Sequence, residues 1–556
     1  MKTIIIGGVA GGASAAARLR RLDESAEIIV LERGEYVSFA NCGLPYYIGE
    51  VITDKRNLTL QTPESFKARF NIDVRIKNEA IKINSDAKTI IIKNLDKNSV
   101  YEESYDNLIL SPGAEPIRPN IDGIDGSNVF TLRNIPDTLN IKEYIENSNP
   151  KSAVVIGGGY IGVEMAENLK EAGLNVSIVE LADHLLAPLD FDMAADVHRY
   201  VKEKGIKLYL NNGVKAVDGN TVVLQDGEIS ADMVMLSVGV RPETMLAQEC
   251  GIKTNKRGSI IVDRQMKTSI PDIYAVGDAV EVEDFITKAP AFIPLAGPAN
   301  KQGRIAADNI AGFASEYSGT QGTAVLKIFD MTVAATGVNE KAAKAAGINY
   351  DKTYIYLASH ASYYPGAHNM SVKALWDKDT LKIVGVQIVG FDGVDKRMDV
   401  LAAAVRFGAK ITDLTGLELC YAPPFGSAKD PVNMLGFVAE NVVSGKINQF
   451  FWHDIEKLPS DGSVTLLDVR TKTEVQYGKI EGFINIPLDS LREHISEIPK
   501  DKPVYVHCHS GLRSYIACRI LAGSGYDCFN LAGGWRLYES VINERAVPEY
   551  SCTKCK

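Results

Sequence analysis

The sequence IIIGGVAGG occupies residues 4–12, where three consecutive isoleucines lead into a cluster of glycines. An alanine-rich segment through Arg21 follows, and the apolar run IIVLE at residues 28–32 ends in an acid. This order predicts strand, glycine turn, helix and strand, the βαβ unit whose helix start faces the pyrophosphate of a dinucleotide. Val9 replaces the middle glycine of the G-x-G-x-x-G pattern, and a tight turn without a ligand is the alternative interpretation. The strand, the helix and the acid in register favour a nucleotide site, with the candidate residues Gly7, Gly8, Gly11, Gly12 and Glu32.

A second unit of the same kind begins with AVVIGGGYIG at residues 153–162, in which the glycine pattern is intact. A helix is expected over 163–172, and VSIVE at residues 176–180 again ends in an acid. A carboxylate there accepts a hydrogen bond from a ribose 2'-hydroxyl but repels a 2'-phosphate, so NADH is favoured over NADPH. Two units imply two bound nucleotides. The candidate residues of the second site are Gly157, Gly159, Gly162 and Glu180.

A lone cysteine stands in SFANCGLPYY at residues 38–47, between the two units. Most cysteines are small buried apolar residues, but the neighbours Asn41 and Gly43 disfavour that interpretation here. A thiol reacts as its thiolate, which at neutral pH requires a helix start, a cation or another electron-poor group. We therefore predict that Cys42 carries redox chemistry and that a neighbouring group stabilises its anion.

The composition excludes several classes of protein. Hydrophobic residues make up 46% and charged residues 23%, as in a globular protein, and the net charge of -10 disfavours nucleic acid or an anionic membrane as the main partner. No apolar run approaches the ~18 residues of a spanning helix, and no signal peptide precedes the first strand. Eight cysteines in 556 residues do not form a disulfide framework. These features predict a cytoplasmic protein.

Two further stretches carry a family resemblance. YDNLILSPGA at residues 105–114 and TSIPDIYAVGDA at residues 268–279 resemble the accessory fingerprints of the two-dinucleotide-domain flavoprotein disulfide reductases. The resemblance implies that FAD occupies the first unit and NADH the second. It also implies that Asp278 holds the ribitol of the flavin, whereas an isolated aspartate at such a place would be a turn residue. The accessory FAD residues implied are Ser111, Gly113, Gly277 and Asp278.

The chain departs from the glutathione reductases of that family. It has no second cysteine that would complete Cys-x4-Cys with Cys42, and no His-Glu pair in the C-terminal domain. Instead, HASYYPG at residues 360–366 and CYAPPFG at residues 420–426 resemble the coenzyme A disulfide reductases, which are homodimers whose catalytic acid is a tyrosine of the partner subunit. The resemblance implies a role for Tyr421, and for Tyr363 or its neighbour Tyr364, with interface packing as the alternative.

The C-terminal part resembles a rhodanese domain along its length. Four segments carry the resemblance: VTLLDVR (464–470), GKIEGFINIP (478–487), PVYVHCHSGLRS (503–514) and NLAGGW (530–535). Cys508 leaves an apolar strand for a loop whose backbone N–H groups can cradle sulfur, and Arg513 can add charge, so both thiolate and persulfide are stabilised. Its Cys-x4-Arg loop is one residue shorter than that of tyrosine phosphatases, which favours sulfur over phosphate. Phosphatase activity is the alternative.

We therefore expect an α/β protein with two Rossmann-like dinucleotide-binding domains, an α+β dimerisation domain and a C-terminal α/β rhodanese domain. A terminal C-x-x-C is too small for a tetrahedral zinc site, and no metal is expected. The predicted boundaries are the FAD-binding domain in two parts (1–112 and 245–320), the NADH-binding domain (113–244), the dimerisation domain (321–447), a linker (448–460), the rhodanese domain (461–550) and a tail (551–556).

The functional hypothesis is reduction of coenzyme A disulfide, or of coenzyme A persulfide and polysulfide, by NADH through FAD and Cys42, with polysulfide or thiosulfate as sulfur donor. Arg18 and Arg21 could meet the anionic end of coenzyme A, although surface arginines are commonly only solvated; Ser38 and Asn41 complete the candidate substrate residues. An NADH oxidase or peroxidase that cycles Cys42 through sulfenic acid is the enzymatic rival. A sulfur carrier or redox sensor based on Cys508 is the rival from another class.

Overall fold

The computed structural model describes residues 1–546, which form two compact units. Among the described residues, one unit comprises residues 1–182 and 205–322, and the other comprises residues 183–204 and 323–546. The cysteines predicted as a C-terminal pair, Cys552 and Cys555, lie outside the described residues. No helix within residues 1–546 combines the length and the apolar character that crossing a membrane requires.

Up to residue 322 the chain alternates short strands with helices. The strands are β1 (Lys2–Ile6), β2 (Glu27–Glu32), β3 (Asp73–Ile76), β4 (Asn78–Asn84), β5 (Thr89–Asn94), β6 (Ser99–Ser104), β7 (Asn107–Leu110), β8 (Ala114–Pro116), β9 (Val129–Thr131), β10 (Ser152–Ile156), β11 (Asn175–Val179), β12 (Lys207–Tyr209), β13 (Val214–Asp218), β14 (Thr221–Leu224), β15 (Glu228–Ser230), β16 (Met233–Leu236), β17 (Val240–Pro242), β18 (Ile260–Ile261), β19 (Ile273–Ala275), β20 (Val280–Glu283) and β21 (Pro290–Ala291). The helices are α1 (Ala10–Leu22), α2 (Leu44–Ile48), α3 (Pro63–Phe70), α4 (Ile135–Ser148), α5 (Tyr160–Glu171), α6 (Phe191–Glu203), α7 (Met245–Glu249) and α8 (Ala296–Ile310).

The first unit contains two parallel five-stranded sheets, ordered β19-β7-β1-β2-β3 and β12-β11-β10-β16-β9. Ile4 and Ile5 of β1 are fully buried, as are Val30 of β2 and Val155 of β10. Parallel strands are covered on both faces, which explains why these segments read as continuous apolar runs in the sequence. The two predicted dinucleotide-binding units are thus present, each with its glycine turn at the carboxyl end of the first strand.

From residue 323 the elements are fewer and longer. The strands are β22 (Ala324–Ile328), β23 (Met331–Gly337), β24 (Tyr350–Ala358), β25 (Asn369–Asp377), β26 (Ile383–Gly390), β27 (Asn448–Phe450), β28 (Thr465–Asp468), β29 (Ile484–Asn485), β30 (Val504–His507) and β31 (Cys528–Leu531). The helices are α9 (Glu340–Ala345), α10 (Val394–Arg406), α11 (Pro431–Val443), α12 (Lys472–Gln476), α13 (Leu512–Gly523) and α14 (Gly534–Ala546).

The second unit also has two sheets. An antiparallel sheet ordered β22-β23-β26-β25-β24 belongs to the predicted dimerisation domain, and α10 packs against its strands β23 and β26. A parallel sheet ordered β27-β31-β30-β28-β29 belongs to the rhodanese part, with Val504 and Val506 of β30 fully buried. The mixed architecture expected from the sequence is therefore confirmed.

The segment 448–460 differs from its prediction as a linker. Its first residues form β27, which pairs with β31 of the rhodanese sheet, and Trp452 is buried. The indole Nε1 of Trp452 donates to Asp192, which accepts 3.2 Å away and also binds the buried ammonium of Lys373. Since buried charges need such partners, this cluster fixes the segment within the fold. Asp192 lies on α6, so residues 183–204, predicted as part of the NADH domain, group with the second unit.

Candidate active sites

The first glycine turn is built by close backbone approach. Gly7 has a φ of +94°, and a Cβ at Gly12 would lie 1.9 Å from the Gly7 carbonyl oxygen, so α1 can begin directly above β1 only with glycine there. Val9, at the departure from the motif, has extended backbone and precedes the first residue of α1. The Glu32 carboxylate accepts from Gly8 N at 3.1 Å and from Gly34 N at 2.9 Å. The turn and the acid therefore lie together, as a pyrophosphate and ribose require.

The accessory residues converge on this turn. Strand β7 pairs with β1 and β19, so Ser111 and Gly277 follow neighbouring strand ends. Ser111 N donates to the Ile6 carbonyl at 2.8 Å, and a Cβ at Gly11 would meet the Ser111 hydroxyl at 3.3 Å. Burial raises the pKa of Asp278, on the 3-10 turn Gly277–Ala279. A hydroxyl-rich ribitol would satisfy such a carboxylate, so the residues present fit FAD.

The second glycine turn repeats the arrangement. Gly157 has a φ of +109°, and a Cβ at Gly162 would lie 2.0 Å from the Gly157 carbonyl oxygen. The Glu180 carboxylate accepts from Gly158 N at 2.6 Å and from Ala182 N at 2.8 Å. Glu180 thus holds the same place relative to its turn as Glu32 does in the first unit. The turn fits a second dinucleotide.

Cys42 lies on a 3-10 turn, Asn41–Gly43, immediately before α2. The residue is exposed, yet its surroundings desolvate the thiol and raise its pKa, and the charges of Glu164 and Asp278 raise that pKa further. The side chains around Cys42 therefore oppose the thiolate. The stabilisation that the sequence analysis requires is left to the backbone at the start of α2 and to a bound cofactor.

Glu164 is a neighbour of Cys42 that sequence reasoning missed. It lies on α5 two residues after the last glycine of the second motif, and helix α2 packs against α5. The Tyr46 hydroxyl donates to its carboxylate at 3.3 Å. Burial raises the pKa of Glu164 to about 7, the Tyr46 hydrogen bond opposes this rise and the charge of Glu167 adds to it. Its ionisation therefore changes near neutral pH.

Replacement of Glu164 by glutamine is expected to lower the pKa of the Cys42 thiol. The carboxylate is charged above about pH 7 and neutral below it, so its unfavourable effect on the thiolate is present only at the higher pH. Alkylation of Cys42 by iodoacetamide in the reduced protein should be about 3–10-fold faster in the variant at pH 8, since one pKa unit is a factor of ten. Near pH 5.5 the two rates should converge.

The control for this prediction is Glu50→Gln. Glu50 is an exposed acid that pairs with Lys142 at 3.1 Å and is not among the groups that shift the pKa of Cys42. Its variant should follow the wild-type profile throughout. A constant rate ratio for Glu164→Gln from pH 5.5 to 8 would contradict the electrostatic explanation and indicate a change in access to the thiol.

A cavity of about 380 Å³ opens beside the first helix. Arg18, Arg21 and Ser38, three of the four predicted substrate residues, line it together with Asn300 and Arg304. The fourth, Asn41, is adjacent to Cys42 and is not one of the lining residues. Arg18 is also paired with Asp308 at 2.7 Å. The cavity wall thus concentrates guanidinium groups, which bind phosphate oxygens well.

The two predicted tyrosines of the C-terminal domain meet. The hydroxyls of Tyr363 and Tyr421 lie 3.0 Å apart, and this hydrogen bond raises the pKa of Tyr363. Both side chains are exposed, at 74% and 47%. Tyr364 instead contacts the ring of His360 edge-on. The geometry therefore favours Tyr363 over Tyr364 as the companion of Tyr421.

Cys508 ends β30 and is buried, with 1% of its surface exposed. Its sulfur accepts from Gly511 N at 3.1 Å and from the Ser514 hydroxyl at 3.2 Å, so the predicted cradle of donors is present. Arg513 forms a two-pronged ion pair with Glu474, and the charge of Cys508 is among the causes that raise the pKa of Arg513. Its charge is therefore matched by a carboxylate before any ligand binds. Within residues 1–546 no group of His, Cys, Asp and Glu side chains is arranged to hold a metal ion.

These features fit a reductase with two dinucleotide sites, an exposed cysteine at residue 42 and an attached loop that cradles the sulfur of Cys508. The model of the pyridine nucleotide-disulphide oxidoreductases matches residues 1–303, the dimerisation domain of the same family matches residues 323–431, and the rhodanese-like domain matches residues 452–540. The chain belongs to the pyridine nucleotide-disulphide oxidoreductase family.

Individual proteins and solved structures are similar to this chain over most of its length. It is 37% identical over 441 residues to a coenzyme A disulfide reductase of Staphylococcus epidermidis, covering 79% of this chain and 100% of that protein. Among solved structures, reduced CoADR-RHD of Bacillus anthracis is 51% identical with a TM-score of 0.96 and covers 98% of each chain. An NAD-dependent persulfide reductase from A. fulgidus is 37% identical with a TM-score of 0.90, covering 97% of this chain and 100% of the other.

Proposed function

We propose that this protein is a homodimeric reductase that uses NADH and FAD to reduce coenzyme A disulfide and coenzyme A persulfide at Cys42. The observation that carries the proposal is the arginine-lined cavity on the segment of the redox cysteine: Ser38 lines it and lies four residues before Cys42. The phosphates at the nucleotide end of coenzyme A match Arg18, Arg21 and Arg304. The relatives named above and the dimerisation domain support the same assignment.

The reaction needs one electron pair, which the hydride of NADH carries, and one further proton. For the disulfide it is CoAS–SCoA + NADH + H⁺ → 2 CoASH + NAD⁺, and for the persulfide CoAS–SH + NADH + H⁺ → CoASH + H₂S + NAD⁺. When bound, FAD would supply the transfer of electrons from NADH to the mixed disulfide at Cys42, and an electron-poor group for the thiolate that Glu164 and Asp278 oppose. The two glycine turns, together with Ser111 and Asp278, would hold the nucleotides.

The chain's own residues perform the exchange. The Cys42 thiolate attacks one sulfur of the substrate, a new S–S bond forms and coenzyme A leaves as its thiolate. We assign the proton for that leaving group to Tyr421 of the partner subunit, whose hydroxyl is hydrogen-bonded to the Tyr363 of its own chain. The hydrogen bond lets Tyr363 support the charge as the proton moves. Arg18, Arg21 and Ser38 orient the anionic end of the substrate.

The test is anaerobic NADH oxidation with a panel of acceptors. Fast consumption with coenzyme A disulfide or persulfide supports the reductase. Consumption that requires O₂ or peroxide would replace it with the oxidase or peroxidase, and negligible consumption with every acceptor would favour a carrier or sensor based on Cys508.

NADH should be preferred to NADPH by at least about 10-fold in kcat/KM. The Glu180 carboxylate already faces the second glycine turn, so a 2'-phosphate would meet its negative charge, and 1.4 kcal/mol of repulsion is tenfold. Steady-state kinetics with both nucleotides measure the ratio. Glu180→Gln should lower the ratio of kcat/KM for NADH to kcat/KM for NADPH. Equal use of both nucleotides by the unaltered enzyme would show that Glu180 does not select the cofactor.

A further inference from the structure

Glu474, which faces the Cys508 loop, is held rigidly. Its carboxylate accepts from the backbone N–H of Thr471 at 3.0 Å and from the Thr471 hydroxyl at 2.9 Å, which completes a capping box at the start of α12. Arg513 then donates through Nη1 to Oε2 at 2.7 Å and through Nη2 to Oε1 at 2.5 Å. This ion pair lowers the pKa of Glu474 to about 2, so the carboxylate is charged at any physiological pH.

The other arginines near this loop are paired as well. Arg470 and Arg536 act electrostatically on His509, as Arg513 does. Arg470 is buried and binds Asp468 at 2.7 Å, and Arg536 lies 3.7 Å from Asp196. Burial lowers the pKa of His509, which disfavours its cationic form. Each of these three guanidinium groups therefore has a carboxylate partner.

Sulfur donors differ in the protein groups that they need for binding at such a site. Thiosulfate presents a sulfonate-like oxyanion, which needs cationic donors and would have to displace Glu474 from Arg513. An organic persulfide carries no oxyanion on the sulfur next to the one that is transferred, and the Gly511 N–H and the Ser514 hydroxyl can accommodate the transferred sulfur. The Glu474–Arg513 ion pair therefore opposes binding of thiosulfate and leaves binding of organic persulfides unaffected.

We propose that Glu474 is a specificity-determining residue that makes Cys508 accept sulfane sulfur from organic persulfides and reject thiosulfate. The accepted step is R–S–SH + Cys508–SH → R–SH + Cys508–S–SH, in which the donor S–S bond breaks and a new one forms at Cys508. The rejected step is S₂O₃²⁻ + Cys508–SH → SO₃²⁻ + Cys508–S–SH. The inference rests on the proposed sulfur-transfer role of Cys508 and refines the donor within it.

The test is the rate at which full-length protein gains one sulfur atom on its Cys508 peptide, followed by mass spectrometry after mixing with thiosulfate or with glutathione persulfide. Glu474→Gln should accelerate loading from thiosulfate by at least about 10-fold, because Arg513 becomes free to bind the oxyanion. Loading from the persulfide should change by less than about 2-fold. The double variant Glu474→Gln/Arg513→Gln should lose the gain.

Other results of the loading experiment would contradict the proposal. Unaltered protein that loads from thiosulfate as fast as from the persulfide, or a Glu474→Gln variant without any gain, would overturn the specificity role. If no donor loads Cys508 in any variant, the sulfur-transfer role itself fails, which is a separate result. If the glutamine variant is poorly folded, Glu474→Asp replaces it in the test. This variant keeps the charge but shortens the side chain by one methylene, so we expect a smaller gain in loading from thiosulfate.

Discussion

Cys42→Ser is expected to lose turnover of coenzyme A disulfide and persulfide by at least about 1,000-fold while it retains FAD and its reduction by NADH. A serine hydroxyl is not a nucleophile at neutral pH without a base beside it, and the ionisable neighbours Glu164 and Asp278 are acids that disfavour a further anion. The nucleotide-binding turns lie on other segments, at residues 7–12 and 157–162. Binding and the first hydride transfer should therefore survive.

Stopped-flow absorbance separates the two half-reactions. Flavin reduction by NADH should proceed in the variant at a rate within a few-fold of wild type, and reoxidation by coenzyme A disulfide should be absent. Slow reoxidation by O₂ should continue, because it needs no thiol. Cys250→Ser is the matched control, since that thiol is partly buried and donates to the Ala247 carbonyl, as a serine hydroxyl can. Near wild-type turnover by Cys42→Ser would mean that Cys42 is not the redox cysteine.

The sequence predicts the two dinucleotide units because their determinants are local. Apolar runs such as residues 4–6 must be buried on both faces, and Gly12 must lack a Cβ because its neighbour is a carbonyl oxygen only a few residues back in the chain. Val9 weakens the motif but not the fold, because its backbone is extended and its side chain need not enter the turn. Short-range constraints of this kind can be read without coordinates.

The contacts that tune the sites span long distances in sequence. Tyr46 and Glu164 are 118 residues apart, and Tyr363 and Tyr421 are 58 apart, so their hydrogen bonds depend on how elements pack. The sequence gives only a weak indication that Glu164 belongs to the site, namely its position on the helix that follows the second glycine turn. The sequence gives no indication for Arg304, because its place in the cavity wall depends on the packing of α8 beside α1.

Charge pairing is another property that the sequence does not show. Residue type suggests that Arg513 acts on the Cys508 thiolate, but it does not reveal that the capping box of α12 places Glu474, 39 residues away, against the same guanidinium. The interpretation of residues 448–460 as a linker likewise could not take a long-range contact into account. This segment contains the buried Trp452, whose indole donates to Asp192, 260 residues earlier in the chain.

Cys508→Ser is expected to leave coenzyme A disulfide turnover within about 2-fold of wild type and to lower NADH-linked sulfide release by at least about 10-fold when an organic persulfide is supplied with catalytic coenzyme A. Disulfide reduction requires only Cys42. Sulfane sulfur has first to reach coenzyme A, and a loaded Cys508 fused to the reductase supplies it at an effective concentration on the order of 1 mM. We expect coenzyme A to carry the sulfur from Cys508 to Cys42.

Sulfide release and NADH oxidation are measured together under anaerobic conditions, after subtraction of the rate without enzyme, because persulfides also load coenzyme A unaided. Cys528→Ser is the matched control: its buried thiol donates to the Cys518 carbonyl at 3.2 Å, a bond that serine can make, and it should behave as wild type. If Cys508→Ser slows both substrates alike, Cys508 takes part directly in flavin chemistry. If it slows neither, the attached domain delivers sulfur elsewhere, such as to a protein partner.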